Sequence, residues 1–379
     1  MKIALVGPVH PFRGGIAHFT TALANAACRN HSVEVVSFRR LYPAILYPGQ
    51  SDRDHSQSPI ALESRVTFSI DTLNPLTWVA TARRIASPGP DLVVLPWWTT
   101  YLGPCLGSLA RMLRGRVPVV YIIHNVLPHE PGVFDRTVAQ WALRPARGFA
   151  VLTEREKTRL SLLLPNRKEV AVSRHPVYRQ FESDQVDPEA ARLRLGVPPD
   201  RPVVLFFGFI RPYKGVEFLV DAVGRLRDRG QTPTLLIAGE GWGASAELRQ
   251  QVESLGMTDQ VRIHNRYIPN EEVGLYFSAA DVFVAPYTAG TQSGSLQIAA
   301  GYSLPVVVTE HLAPGLHRIP SDRARVVPTG DAGALAGAIQ EMLRVPRLQA
   351  TPPSPDDGWD SLTKTLLALG GLADRSDAR

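Results

Sequence analysis

Val203-Val204-Leu205-Phe206-Phe207-Gly208-Phe209-Ile210-Arg211-Pro212-Tyr213-Lys214-Gly215 decides the fold class. The five apolar residues at its start read as a buried parallel strand, and residues 216–227 read as the helix that follows. Gly208 marks the carboxyl end of the strand, which is where open α/β sheets bind their ligands. Arg211 and Lys214 stand at that end, where two cations can converge on one anionic group, most simply a diphosphate. A basic surface loop capping a helix would use the same residues.

The alternation extends in both directions. In the first half, strands are expected at residues 3–6, 33–38, 92–95, 117–123 and 148–152, with helices at 17–27, 75–85, 102–113, 134–143 and 154–164. Residues 42–59, rich in Pro, Gly, Ser and Asp, read as an exposed loop. In the second half, strands are expected at 203–207, 234–238, 261–265, 282–285, 305–309 and 325–327. Helices fall between them at 216–227, 246–254, 270–278, 295–301 and 332–343. Strands separated by helices imply parallel sheets with right-handed crossovers. The expected architecture is α/β, with two Rossmann-like doubly wound domains facing a cleft. The pattern loosens over 176–201, around Asp187-Pro188 and Pro198-Pro199, which puts the domains at 1–180 and 181–350. Within the tail 351–379, residues 359–369 read as a last helix that packs back on the first domain.

Composition narrows the class. The chain has 379 residues, 44% hydrophobic and 20% charged, as in an ordinary soluble two-domain protein. No apolar run reaches the roughly 18 residues of a membrane span. Met1-Lys2-Ile3-Ala4-Leu5-Val6-Gly7-Pro8 reads as a first strand and not as a leader. Cys28 and Cys105 read as buried free thiols, so a cytosolic setting fits and a zinc cluster does not. Residues 1–180 carry 22 Lys/Arg against 11 Asp/Glu, and residues 181–379 carry 19 against 24. The basic half suits an anionic partner such as a lipid headgroup surface or a lipid diphosphate. No nucleic-acid module accompanies the charge, so nucleic acid ranks below membrane. Solubility alone would also account for it.

Five constellations could carry chemistry, and all but one follow an expected strand. Phe12-Arg13-Gly14-Gly15-Ile16-Ala17-His18 offers backbone amides at a helix start but lacks the third glycine of a dinucleotide fingerprint. A tight turn is the plain alternative. His124-Asn125-Val126-Leu127-Pro128-His129-Glu130 gathers groups that can hydrogen-bond sugar hydroxyls or move a proton near neutral pH. Its spacing matches no zinc site. His175-Pro176 marks the exit from the first domain. Ala238-Gly239-Glu240-Gly241-Trp242-Gly243 permits close approach to a base or ribose, with Trp242 able to stack or simply to cover the core. Gly290-Thr291-Gln292-Ser293-Gly294-Ser295 opens a helix whose free amides make a phosphate cradle, or merely a capped helix.

In this order the motifs resemble the GT-B glycosyltransferases, specifically the large retaining family four, over nearly the whole chain. Pro305-Val306-Val307 completes the set, and the combination of Gly14-Gly15-Ile16-Ala17-His18, Tyr42-Pro43, Tyr47-Pro48-Gly49 and His124-Asn125-Val126-Leu127-Pro128-His129-Glu130 is similar to a bacterial polysaccharide and glycolipid branch. The resemblance implies a cytoplasmic hexosyltransferase, peripheral on the inner face of the membrane. It would use a nucleotide-sugar donor, a glycan or lipid-linked acceptor, no cofactor and no metal. It implies that Arg211 and Lys214 hold the donor diphosphate and that His124 lies near the transferred sugar. Gly208, Gly239, Glu240, Gly241, Gln292, Ser293, Gly294 and Ser295 would line the donor, and Gly14, Gly15, His18, His129 and Glu130 the acceptor and phosphate side. The family's paired glutamates, E-x7-E, fall here on Gly290 and Ile298. A site shifted onto Gln292 and Ser293 is the expected replacement. A catalytically silent sugar-nucleotide-binding scaffold and a sugar-nucleotide epimerase are the alternatives.

Overall fold

The computed structural model describes residues 1–43, 51–57, 60–87, 89–128, 132–166, 169–178, 181, 186–241, 245–348 and 358–372. The chain forms two compact units. One comprises Met1–Asp54, Ile60–Pro176 and Asp356–Arg379, and the other His55–Pro59 and Val177–Pro355.

In the first unit, β1 (Lys2–Val6), α1 (Gly15–Cys28), β2 (Ser32–Arg40), β3 (Arg65–Asp71), α2 (Pro75–Ala86) and β4 (Leu92–Trp97) come first. Then follow α3 (Gly103–Leu113), β5 (Val119–Ile123), α4 (Asp135–Leu143), β6 (Gly148–Val151), α5 (Glu154–Leu163) and β7 (Val170–Val172). The sheet has seven strands in the order β3-β2-β1-β4-β5-β6-β7, and every pairing is parallel. Strand order reverses between β1 and β4, so the switch point lies beyond their carboxyl ends. β4 and β5 are buried along their whole lengths, as strands covered on both faces must be.

Two strands lie outside the sequence expectation. β3 is mostly half-buried and β7 is half-buried over three residues, because they form the two edges of the sheet. The segment before β3 is tied to α1 by Asn25, whose Nδ2 donates to the Ala61 carbonyl (2.8 Å) and whose Oδ1 accepts from the Glu63 amide (3.0 Å).

The second unit contains α6 (Pro188–Arg194), β8 (Val203–Phe207), α7 (Val216–Asp228), β9 (Thr234–Ala238), α8 (Ser245–Ser254) and β10 (Val261–His264). It continues with α9 (Asn270–Ala279), β11 (Val282–Ala285), α10 (Gly294–Gly301), β12 (Val306–Thr309), β13 (Ala324–Val327) and α11 (Ala332–Met342). Its six parallel strands run β10-β9-β8-β11-β12-β13, with the switch between β8 and β11. α6 lies within 176–201, where the sequence pattern loosens and predicts no helix. Asp187 caps it by accepting from the Ala190 amide (3.0 Å), and Pro188 takes the first helical position, where its missing N–H costs nothing. Arg192 then pins the helix through Nη2 to Asp281 Oδ2 (2.7 Å).

α12 (Trp359–Leu369) closes the first unit, lying on α1 and β6. Its Trp359 ring packs 5.0 Å from that of Phe19. Cys105 is buried, but Cys28 is only partly so, which corrects its expected burial. Burial pushes the Cys105 thiol up to about 12.

Candidate functional site

The loops after β8 and β9 run side by side because two glycines allow it. Gly208 has φ 127° and its amide donates to the Ala238 carbonyl (2.9 Å), while the Ile210 amide donates to the Glu240 carbonyl (2.9 Å). Gly239 has φ 147°, and a Cβ placed there would land on the Gly208 carbonyl oxygen. Beyond them, Pro212–Lys214 form a 3-10 turn that ends at Gly215, whose φ is 64°. A Cβ on Gly215 would strike the Pro286 carbonyl oxygen. The turn is thereby pressed onto the segment after β11, where the Thr288 amide and hydroxyl both donate to the Tyr213 carbonyl (2.8 and 3.2 Å).

This contact seats Lys214. Its Nζ stands 3.6 Å from the centroid of the Tyr287 ring. Burial lowers the Lys214 pKa, Tyr213 opposes the shift, and the neighbouring Arg211 guanidinium adds to it. Two cations held close together in a poorly solvated pocket raise one another's cost, and an anion bound between them removes that cost.

The start of α10 adjoins the same spot. Ser293 caps the helix by accepting from the Leu296 amide (3.3 Å), and its Oγ is hydrogen-bonded to the hydroxyls of Tyr287 (3.0 Å) and Ser295 (2.9 Å). A Cβ at Gly208 would lie 4.0 Å from Ser295 Oγ. Gly208, Lys214, Ser293 and Ser295 therefore gather around Tyr287, beside the first amides of α10 at Gly294 and Ser295, which come too early in the helix for an intrahelical acceptor. Tyr287 was not singled out in the sequence. Only its place after an apolar strand, beside Pro286, could have signalled it.

Gln292 is half-buried next to this group, and Thr291 is buried with its hydroxyl unpartnered among the described residues. Glu240 is buried, and the Gly241 amide donates to Asn265 Oδ1 (2.7 Å). Gly290 has φ 108° and Ile298 is buried in α10, so neither position can present a carboxylate. Trp242 lies outside the described residues.

In the first unit, Gly14 (φ 101°) starts α1, and its carbonyl accepts from the amides of Ala17 and His18 (3.0 and 3.2 Å). A Cβ at Gly15 would meet nothing within 4 Å. His124 follows β5, and its amide donates to the Trp97 carbonyl (2.8 Å). Its ring meets Phe19 edge-on at 4.6 Å, and His175 meets the same phenyl ring at 5.3 Å. His129 and Glu130 lie outside the described residues.

Burial, followed by the neighbouring His175, pushes His124 down to about 3, so the imidazole is neutral at pH 7. The folded pKa lies below the ordinary 6.5, so between those values the unfolded chain binds a proton that the folded one refuses. Stability present above pH 6.5 is therefore lost as the pH falls, by up to about 1.4 kcal/mol per pH unit. Denaturant titration from pH 7 to 4 is expected to show a steeper loss in the wild-type protein than in His124→Gln. Parallel curves would rule out the assignment.

The loop bearing His124 has a support that the sequence reading missed. The Val126 amide donates to Glu156 Oε2 (2.6 Å), and Trp97 Nε1 donates to the Val126 carbonyl (3.1 Å). Glu156 is fully buried, and its other oxygen accepts from Arg159 Nη1 (2.8 Å). Thr153 and Glu156 have the spacing of a capping box, and Thr153 Oγ1 does accept from the Glu156 amide (3.2 Å). The carboxylate, however, is spent on the loop instead of on the helix.

Among the described residues, no group of three or more His, Cys, Asp or Glu could hold a metal ion, and no helix is long and apolar enough to cross a membrane.

Residues 201–344 match the family model described as glycosyl transferases group 1, and residues 14–175 match that of the glycosyl transferase 4-like domain. The chain is 29% identical over 279 residues to 2-deoxystreptamine glucosyltransferase of Streptomyces kanamyceticus, a match spanning 68% of this chain and 66% of that relative. It is 27% identical over 395 residues to the GDP-mannose-dependent alpha-(1-6)-phosphatidylinositol monomannoside mannosyltransferase of Mycolicibacterium smegmatis, covering 97% of each. Among solved structures, sucrose-phosphate synthase of Thermosynechococcus elongatus superposes with TM-score 0.68 at 19% identity, covering 100% of this chain and 96% of that one.

Proposed function

The chain belongs to the group 1 glycosyl transferases, and on that premise we propose that it moves a hexose from a nucleoside-diphosphate sugar to a glycan or lipid-linked acceptor. The second unit takes the donor and the first takes the acceptor. The observation that carries this reading is the group of Lys214, Tyr287, Ser293 and Ser295 beside Arg211. As the glycosidic bond breaks, negative charge grows on the leaving diphosphate. The two cations and the first amides of α10 meet it there without reorganising. Protein cations fill the role that a metal would otherwise take, so the reaction proceeds without one. A neutral His124 serves as a hydrogen-bond partner for a sugar hydroxyl and not as a charged group.

The mycobacterial relative is named for a GDP-mannose donor and a glycolipid acceptor, which supports both substrate classes. Retention of anomeric configuration rests on the resemblance to the retaining family. With no carboxylate at positions 290 and 298, Gln292 and Ser293 are the polar groups assigned to the ribose side. The positive surplus of residues 1–180 supports peripheral contact with an anionic membrane on its cytoplasmic face.

Thermal unfolding with UDP-glucose, UDP-galactose, UDP-N-acetylglucosamine, GDP-mannose and ADP-glucose tests the donor site. A matching donor at 100 times its Kd is expected to add about 2.7 kcal/mol, a rise of several degrees, with or without EDTA. If all five leave the transition unmoved, the donor reading is wrong. A rise abolished by EDTA would overturn metal independence.

A further inference from the structure

The carboxyl edge of the first unit's sheet holds an aromatic group that the donor chemistry does not use. Trp98 is the first residue past β4, Thr72 the first past β3, and Tyr42 the second past β2. Tyr101 sits in the 3-10 turn Thr100–Leu102 that follows β4. Trp98 Nε1 donates to the Tyr42 hydroxyl (2.9 Å). The rings of Tyr42 and Tyr101 lie 5.5 Å apart at 31°. The Tyr101 hydroxyl is hydrogen-bonded to Thr72 Oγ1 (2.9 Å), which itself donates to the Leu41 carbonyl (3.0 Å). Each of the three rings packs against the core yet remains partly exposed.

We propose that Trp98, Tyr42 and Tyr101 form a platform on which a pyranose ring of the acceptor stacks, an inference that rests on the glycosyl-transfer reading above. The ligand class follows from the chemistry. A pyranose has an apolar C–H face, which suits an aromatic surface, and a rim of hydroxyls, which suits phenol and threonine oxygens. Rings already held by hydrogen bonds, Trp98 to Tyr42 and Tyr101 to Thr72, lose little conformational entropy on binding. The same sheet edge supplies the placement. β1, whose loop leads to Gly14, lies between β2 and β4, and β5, which His124 follows, adjoins β4. Neighbouring strands stand about 4.8 Å apart, and Trp98 and His124 are the first residues past β4 and β5, so the two chain positions are one strand apart. A lid that merely sealed the core would not need Trp98 bonded to Tyr42 and Tyr101 bonded to Thr72 while the rings stay partly open to water.

Saturation-transfer NMR with methyl glucoside, methyl mannoside, methyl galactoside and methyl N-acetylglucosaminide tests the platform. At least one is expected to receive saturation on its axial C–H protons. That signal should fall at least fivefold in Trp98→Ala and persist in Trp98→Phe, which keeps an aromatic face. Nucleotide-sugar stabilisation should be the same in both variants and in the wild type, showing that they are folded. Absence of saturation in the wild type, or an equal signal in Trp98→Ala, overturns the platform. Failure of the donor panel would instead strike the reading on which it rests.

Discussion

Lys214→Ala is expected to lower kcat/KM by about 100- to 1,000-fold, the loss found when one fixed group that stabilises transition-state charge is removed. Its position explains the size of the effect. The half-buried Lys214 holds its ammonium over the Tyr287 ring, within the electrostatic reach of Arg211, so its charge is fixed in place before the reaction. Stability should move the other way or not at all. Burial already disfavours the charged form, so the alanine variant loses an unfavourable term before any ligand arrives. Lys214→Arg should not restore the rate, because a planar guanidinium fork is wider than the compact ammonium that stands over the Tyr287 ring. Initial rates and apo melting temperatures check this together. An alanine variant with full activity, or one that loses activity only because it unfolds, would remove Lys214 from the diphosphate site.

Gly239→Ala should destabilise the protein by about 2 to 6 kcal/mol, combining backbone strain with overpacking. The new methyl would have to displace the Gly208 carbonyl, which is backbone and cannot swing aside, and φ 147° disfavours any side chain. Because the loops after β8 and β9 are hydrogen-bonded to each other, the shift would pass to the segment leading into Arg211. Gly15→Ala is the matched control, since its methyl would enter open space. Urea denaturation of the three proteins measures the difference. A midpoint for Gly239→Ala within error of the wild type would show that the two loops are not clamped together.

The sequence made the buried strands plain, and in the first sheet it left the two edge strands obscure. β4, β5, β8 and β9 are covered on both faces and so appear as unbroken apolar runs. β3 mixes polar with apolar residues and β7 is only three residues long, so no run stands out in either. α6 was hidden because Asp187-Pro188 serves equally well as a linker signal and as a helix start. The same division holds at the site. Arg211 and Lys214 could be read as charges placed just past a strand. Tyr287 could not, because it meets Lys214 only through the adjacency of β8 and β11, elements far apart in the chain. Glu156 was concealed for a similar reason, since local spacing showed its helix but not the loop its carboxylate holds.

The return of α12 to the first unit has a consequence for biosynthesis. Of the two sheets, the one translated first waits for α12, which is translated after the whole of the second sheet. While residues 177–358 are translated, the seat on α1 and β6 stays bare for about 10 to 40 s at ordinary elongation rates. Throughout that interval the nascent polypeptide displays an open apolar strip, including Phe19, to whatever shelters growing chains at the tunnel exit.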